Sequence, residues 1–444
     1  MKKNKKQLRL EDAMVPVEEQ PYEVPENWCW TKLGVTISIS KEKTDDFSDI
    51  SVKYVGLEHL ESNKGLNGYG TTEGIKSLKN IFHTGQILYG KLRPYLNKHD
   101  IASFDGVCST DILVIDVKNV VDAQFVNKFL DMDSFISYTV NNSKGINLPR
   151  VSGETIMDAA FPLPPLPEQQ RIVERIESLF SKLDEAKEKA QEALESFEER
   201  QVAILHKAFK GELTLQWRTE HGLDMNSWRD VPLKDCGRWF GGGTPTTSKK
   251  EYWEGGDILW ITSKDMKEKI IKDSLMHVTM VGVENSSANY CEEPAVLFVM
   301  RSGILRRVFP VSMVRRPFTV NQDLKACVPE GILQEYLYWH CTGFEKDIRD
   351  NCMKSGTTVE SVEAKKLYEY EISVAGIDEQ KEIVNRIEEL LNKEVAAYEV
   401  AENVIESIEL VKKSILAKAF RGELGTNNPS EESSIELLKQ VIKE

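Results

Sequence analysis

EQQRIVERIESLF at positions 168–180 returns as EQKEIVNRIEELL at 379–391, and ILHKAFKGEL at 204–213 returns as ILAKAFRGEL at 415–424. Both pairs are offset by 211 residues, and over Glu168–Leu213 against Glu379–Leu424 there are 23 identities in 46 positions without a gap. Shared helix composition does not hold such a register, so the chain contains a tandem duplication.

Each copy reads as a long helix. Apolar residues at Ile172, Ile176, Leu179, Leu183, Ala186, Ala190, Ala193, Phe197 and Ile204, and again at Ile383, Ile387, Leu390, Ala397, Ala401, Val404, Ile408, Val411 and Ile415, follow coiled-coil spacing. Arg200 and Glu394 interrupt the two stripes at different levels. Prolines at 162, 164, 165 and 167 mark the start of the first helix, while Gly211 and Gly422 end the copies. An amphipathic helix draws most of its stability from packing, so the two copies are expected to pair; the alternative is that each stripe packs on its neighbouring domain. A helix over Glu168–Lys210 would span roughly 64 Å.

Working outward, the segments before each helix mix strand and helix signals. QILYG (86–90), DILVIDV (111–117), DILWIT (257–262) and AVLFVM (295–300) read as strands, and Trp28 and Trp228 open the two segments in the same way. The expected plan is an N-terminal segment 1–24, a domain 25–165, a helix 166–213, a linker 214–225, a second domain 226–377, a helix 378–424 and a tail 425–444. The fold class is mixed α/β (α+β), with two domain copies joined by two long helices.

The chain has 444 residues, 41% hydrophobic and 29% charged, and reads as soluble, cytoplasmic and multidomain. No signal peptide or run of 18 apolar residues occurs in the sequence. The seven cysteines form no C-x-x-C pair and the histidines no H-E-x-x-H, so the usual zinc spacings are missing and free thiols are expected. A net charge of −14 argues mildly against nucleic acid, but the helical copies are themselves acidic.

No catalytic constellation emerges. GQILYGKL (85–92) approaches a phosphate-binding loop, yet Leu92 stands where a hydroxyl must hold Mg²⁺, and Arg93 and Pro94 follow where a helix should open. GGGTPTT (241–247) is Gly-rich without Walker or dinucleotide spacing: a loop first, a DNA-approaching loop second. No N-P-P-Y-like run is present. Residues able to touch DNA cluster instead. In the first domain they are Lys91, Arg93, Asn97, Lys98, Lys144, Asn147 and Arg150; in the second they are Thr244, Thr246, Lys249, Lys264, Arg301, Arg306, Arg307, Asn321, Lys354, Thr357 and Thr358. Arginine and amides read base edges, while lysine and hydroxyls hold phosphates. The competing reading of any one of them is a solvated surface charge.

PLPPLPEQQRIVERIESLF with ILHKAFKGEL, its second copy, and the domain motifs YVGLEHLES (54–62), GQILYGKLRPYLNKH (85–99), GGGTPTTSKKEYWEGGDILWITSKDM (241–266) and RSGILRRVFPVSMVRRPFTVNQDLKA (301–326) resemble the specificity subunits of type I restriction-modification enzymes. The resemblance implies an antiparallel coiled coil carrying two target-recognition domains, each reading half of a bipartite DNA site, with the helices setting the spacer. It implies a non-catalytic chain without cofactor of its own. Two methyltransferase subunits would bring S-adenosylmethionine, and restriction subunits would bring ATP and Mg. Docking is expected at Glu168, Gln169, Arg171, Phe209, Glu379, Gln380 and Phe420, although SVAGIDEQ (373–380) departs from the proline-rich opening of the first repeat. Other readings are a coiled-coil scaffold or adaptor without DNA readout, a stand-alone enzyme, and a subunit of a related system whose partner fuses methylation and cleavage.

Overall fold

The β-branched and aliphatic runs become buried central strands. In the computed structural model, which describes residues 9–49, 51–62, 64–354 and 359–443, the chain divides into two compact units, Met1–Gln191 with Asn403–Glu444, and Glu192–Glu402. The first unit holds an antiparallel sheet in the order His99–Ile101, Ile87–Gly90, Ile112–Val117, Ile37–Ile39. The second repeats that order with Val311–Val314, Ala295–Val299, Leu324–Pro329 and Gly237–Gly241. Each unit also pairs two strands in parallel, Gly106–Cys108 with Lys53–Val55 and Phe318–Val320 with Ile258–Ile261. All four strands expected from sequence are present, and the duplication extends from the helices into the domains.

The second helical copy is one element, Ile377–Ala419, whereas the first is Leu166–Glu195 followed by Phe197–Phe209. The interruption falls at Ser196, whose hydroxyl donates 2.7 Å to the Glu192 carbonyl and accepts from Arg200. A serine bonding back four residues competes with the helical ladder and bends it, so the expected single first helix is corrected to two.

Within the first unit, Lys187 pairs with Glu409 at 3.0 Å and Asp184 with Lys412 at 2.5 Å. Partner numbers fall as the first numbers rise, so the segments run antiparallel. In the second unit Phe197 packs on Tyr398 with ring centroids 4.7 Å apart, and Arg200 reaches Glu394 at 2.7 Å. The two polar interruptions, out of step between the repeats, face each other once one segment is reversed. Part of the expected stripe is also corrected. Ala397, Val404 and Val411 are exposed; Ala401 and Ile408 stay buried as expected, and Tyr398 and Ile405, outside the expected stripe, join them at the seam.

At the start of each helical copy sits a buried carboxylate. Glu168 accepts from the Trp28 indole at 2.7 Å and the Asn427 amide at 2.9 Å. Glu379 accepts from the Trp228 indole at 2.9 Å, the Thr214 hydroxyl at 2.7 Å and the Arg218 guanidinium at 2.6 Å. In each unit the carboxylate thus binds the residue that opens the domain and the segment that follows the end of the opposite helical copy. Gly211 and Gly422, at φ 76° and 74°, make the turns into those segments. Burial pushes the Glu168 carboxyl above its ordinary value, against the opposing donations from Trp28 and Asn427.

Neighbouring glutamines repeat this logic. The Gln169 carbonyl accepts from the Asp122 backbone N–H at 2.8 Å, just before the helix Ala123–Leu130, and the Gln380 carbonyl does the same for Leu333 at 2.9 Å, just before Gln334–Gly343. Phe420 packs on Phe125 and Phe129, and Phe209 on Tyr336 and His340. The stretches read from sequence as linker and tail are built in. Arg218 is buried, Leu438 is fully buried, and Glu431 grips Arg171 through two bonds of 2.8 and 2.9 Å.

Two consequences follow for stability. Arg218→Ala leaves the Glu379 charge buried without its ion-pair partner and should lower the unfolding free energy of the second unit by about 3–5 kcal/mol, with part recovered when Glu379→Gln is added; denaturant titration of the full chain measures both. His340, fully enclosed, is held down from 6.5 to about 3 chiefly by burial. The unfolded chain therefore takes up a proton that the folded unit refuses, so stability present above pH 6.5 is lost as pH falls toward 3. His340→Phe should flatten that part of the acid-unfolding profile.

Candidate nucleic-acid interface

In the first unit the chain leaves the strand Ile87–Gly90 into a loop that lies beside a short hairpin. The Arg93 N–H donates 2.7 Å to the Pro149 carbonyl, Leu92 bridges Arg150, and Lys144 and Arg150 exchange bonds of 2.9 and 2.8 Å. Arg93 and Asn97 hold left-handed backbone at φ 53° and 42°, bracketing the turn Pro94–Leu96. Such conformations cost free energy in non-glycine residues and persist only where the surroundings enforce them. Here enforcement comes from Asn97, buried and donating 3.0 Å to the Asp131 carboxylate within a cluster that includes His99 and Asn127. Arg93 and Tyr95 are left pointing to solvent on this fixed turn.

The second unit builds the same pair of loops. Ser302 N–H donates 3.1 Å to the Glu360 carbonyl, Arg301 bridges Ser361, and Met353 bridges Val362. The turn Gly303–Arg306 stands where Pro94–Leu96 stands in the first unit. Arg301, Arg306, Arg307 and Lys354 are exposed on these two loops, with Arg306 donating 2.9 Å to the Glu360 carboxylate. The Arg301 N–H bonds the Asp323 carbonyl, and the adjacent Gln322 side chain accepts 2.8 Å from Thr244, so the Gly-rich loop adjoins this platform.

The remaining candidates divide by burial. Lys91, 3.9 Å from Asp111, and Arg150, 3.2 Å from it, stay on the platform, and Lys144 and Asn147 are exposed. Thr246, Lys249 and Lys264 are exposed, with Lys249 tied to the Tyr252 hydroxyl at 2.8 Å. Two are corrected. Asn97 is spent on the interior cluster, and Asn321, 8% exposed, bonds its neighbour Asp323. Lys98 is diverted to the Leu57 carbonyl at 2.7 Å. Thr357 and Thr358 lie outside the described residues. The docking assignment of Glu168, Gln169, Phe209, Glu379, Gln380 and Phe420 is corrected as well, because all six are buried in their units, while Arg171 is engaged by Glu431. Ile146 and Leu148 are exposed platform residues that a search for charges and amides passes over. Their signal is apolar character in a loop bounded by Gly145 and Pro149 rather than on a periodic element.

The decoys resolve on packing. Ile87–Gly90 is a buried interior strand, and a Cβ at Gly242 would collide with the Val320 carbonyl, so close backbone approach accounts for that glycine. Among the described residues no group of three or more His, Cys, Asp or Glu is placed to hold a metal, and no helix is long and apolar enough to cross a membrane. All seven cysteines are buried and unpaired.

The sequence pattern described as "Type I restriction modification DNA specificity domain" matches residues 28–196 and 225–407. The chain belongs to this family. Among curated relatives, the EcoDI specificity subunit of Escherichia coli is 36% identical over 45% of this chain and 45% of its own length, and the EcoR124I/EcoR124II specificity subunit is 37% identical over 41% and 44%. These alignments span about half the length of the relatives. The HsdS subunit of Thermoanaerobacter tengcongensis shares the fold at a TM-score of 0.70 and 20% identity, covering 92% of this chain and all of that one. Each of the two matched segments includes one complete loop platform, so the platform belongs to the family's repeated domain.

In this family member Arg93 has no acidic partner among the described residues and Arg306 has one, so their contributions to binding a polyanion should differ. Arg93→Ala should reduce the slope of log affinity against log salt by about one unit, as for loss of one phosphate contact. Arg306→Ala should reduce it less. DNA titrations over a salt series, with the full chain and its partner, measure both.

Proposed function

We propose that the chain is the DNA-specificity subunit of a type I restriction-modification complex and carries no catalytic group of its own. One observation carries this reading: the same two-loop platform occurs twice, on equivalent strands, with different side chains at its surface. Each unit then reads one half of a bipartite duplex target, and the helical repeats set the spacer between the halves. Methyltransferase subunits with S-adenosylmethionine would supply the chemistry, joined for cleavage by restriction subunits using ATP and Mg, in the cytoplasm. Phosphate contacts from Lys91, Arg93, Lys144, Arg301, Arg307 and Lys354 overcome the chain's net charge of −14 locally, since a duplex feels the charges within about a Debye length of it, roughly 8 to 10 Å.

Exchange of 226–377 for the corresponding segment of a relative should change one half of the methylated motif and preserve the other, read by methylome sequencing of the host. A change in both halves contradicts independent reading. Methylation by the purified chain without a partner contradicts the non-catalytic assignment.

A further inference from the structure

The hairpin tip of the first unit has a chemistry that its neighbours do not explain. Ile146 is 100% exposed, the most exposed large apolar side chain among the described residues, and Leu148 is 45% exposed. Asn147 stands between them, exposed, with no hydrogen bond to its amide among the described residues. Gly145, at φ 104°, throws this tip outward, and the two Lys144–Arg150 backbone bonds hold it. Exposed apolar residues are ordinary when scattered singly. Two of them flanking an amide, beside the exposed Lys144 and Arg93, form an apolar and amide tip with cationic neighbours.

We propose that this tip reads one A·T base pair from the major groove, with the Asn147 amide on the adenine edge and Ile146 against the thymine methyl. An asparagine amide pairs bidentately with adenine N6 and N7, and the same base pair presents the thymine C5-methyl on the same groove face, where an apolar side chain is the matching contact. Lys144 and Arg93 supply the flanking phosphate contacts. The duplication supports the assignment. Counterpart positions 355–359 keep the glycine, Gly356, but read SGTTV where the first copy reads KGINL. A structural hairpin would preserve its tip, whereas a reading element that faces a different half-site changes it.

This inference rests on the specificity reading above, and the test separates the two. The full chain, assembled with its methyltransferase partner, is titrated with duplexes carrying the methylated motif, in which each thymine of one half-site is replaced singly by deoxyuridine, which lacks only the methyl. Wild type should lose about three- to fivefold in affinity at one thymine, the worth of one buried methyl. Ile146→Ala should lose a similar factor on the unmodified duplex and nothing more at that deoxyuridine. Asn147→Ala should lose at least about fivefold and admit other bases at the same pair. Neither variant should alter the salt slope, because neither removes a charge, and the exposure of both side chains keeps folding intact. Indifference of wild type to every deoxyuridine, or methyl dependence persisting in Ile146→Ala, overturns the inference while leaving the specificity reading standing. Absence of site-selective binding by the wild-type assembly overturns both.

Discussion

A carboxylate buried at the start of each helical copy organises the unit around it. Glu168 and Glu379 lie in an interior where an unpaired charge is strongly unfavourable, so every strong donor within reach is drawn to them. Those donors are not neighbours in sequence. One is the tryptophan that opens the recognition domain, and the others follow the end of the opposite helical copy. A single acceptor therefore ties together three distant parts of the chain and makes the closing of each unit depend on both copies of the repeat.

The two units satisfy that constraint differently. Glu379 is neutralised by an arginine, whereas Glu168 is held by an indole and an amide and its carboxyl is pushed upward by burial. Equivalent geometry with non-equivalent chemistry is what a duplicated fold shows after its copies diverge, and the same holds at the surface. Left-handed Arg93 and Asn97 stiffen the first platform; in the second a serine-capped turn and the Arg306–Glu360 pair do that work. A rigid turn presents its exposed side chains in one geometry, which favours discrimination between base edges over tolerant adhesion.

The acidic total conceals this arrangement. Much of the negative charge lies on the helical copies, while among the described residues Arg93, Arg307 and Lys354 on the platforms have no acidic partner. Composition averages over both, and so weighs against nucleic acid even where the exposed loops are cationic.

The tandem repeat, the helical stripes and the central strands were readable in the sequence because each is a periodic pattern, and periodicity survives without knowledge of partners. Family membership was readable for the same reason: the repeat and its domain motifs are contiguous strings. Tertiary structure alone decided what non-contiguous residues do. Arg200 and Glu394 looked like defects at unrelated levels, and only antiparallel pairing makes them a salt bridge. Glu168, Gln169, Glu379 and Gln380 looked like a polar docking surface at a helix start, yet they face inward because each has an interior donor or backbone group to satisfy. Asn97 looked like a reader of bases and is instead the brace of the loop that carries Arg93. Burial depends on what the rest of the chain brings to a residue, and no local string encodes that.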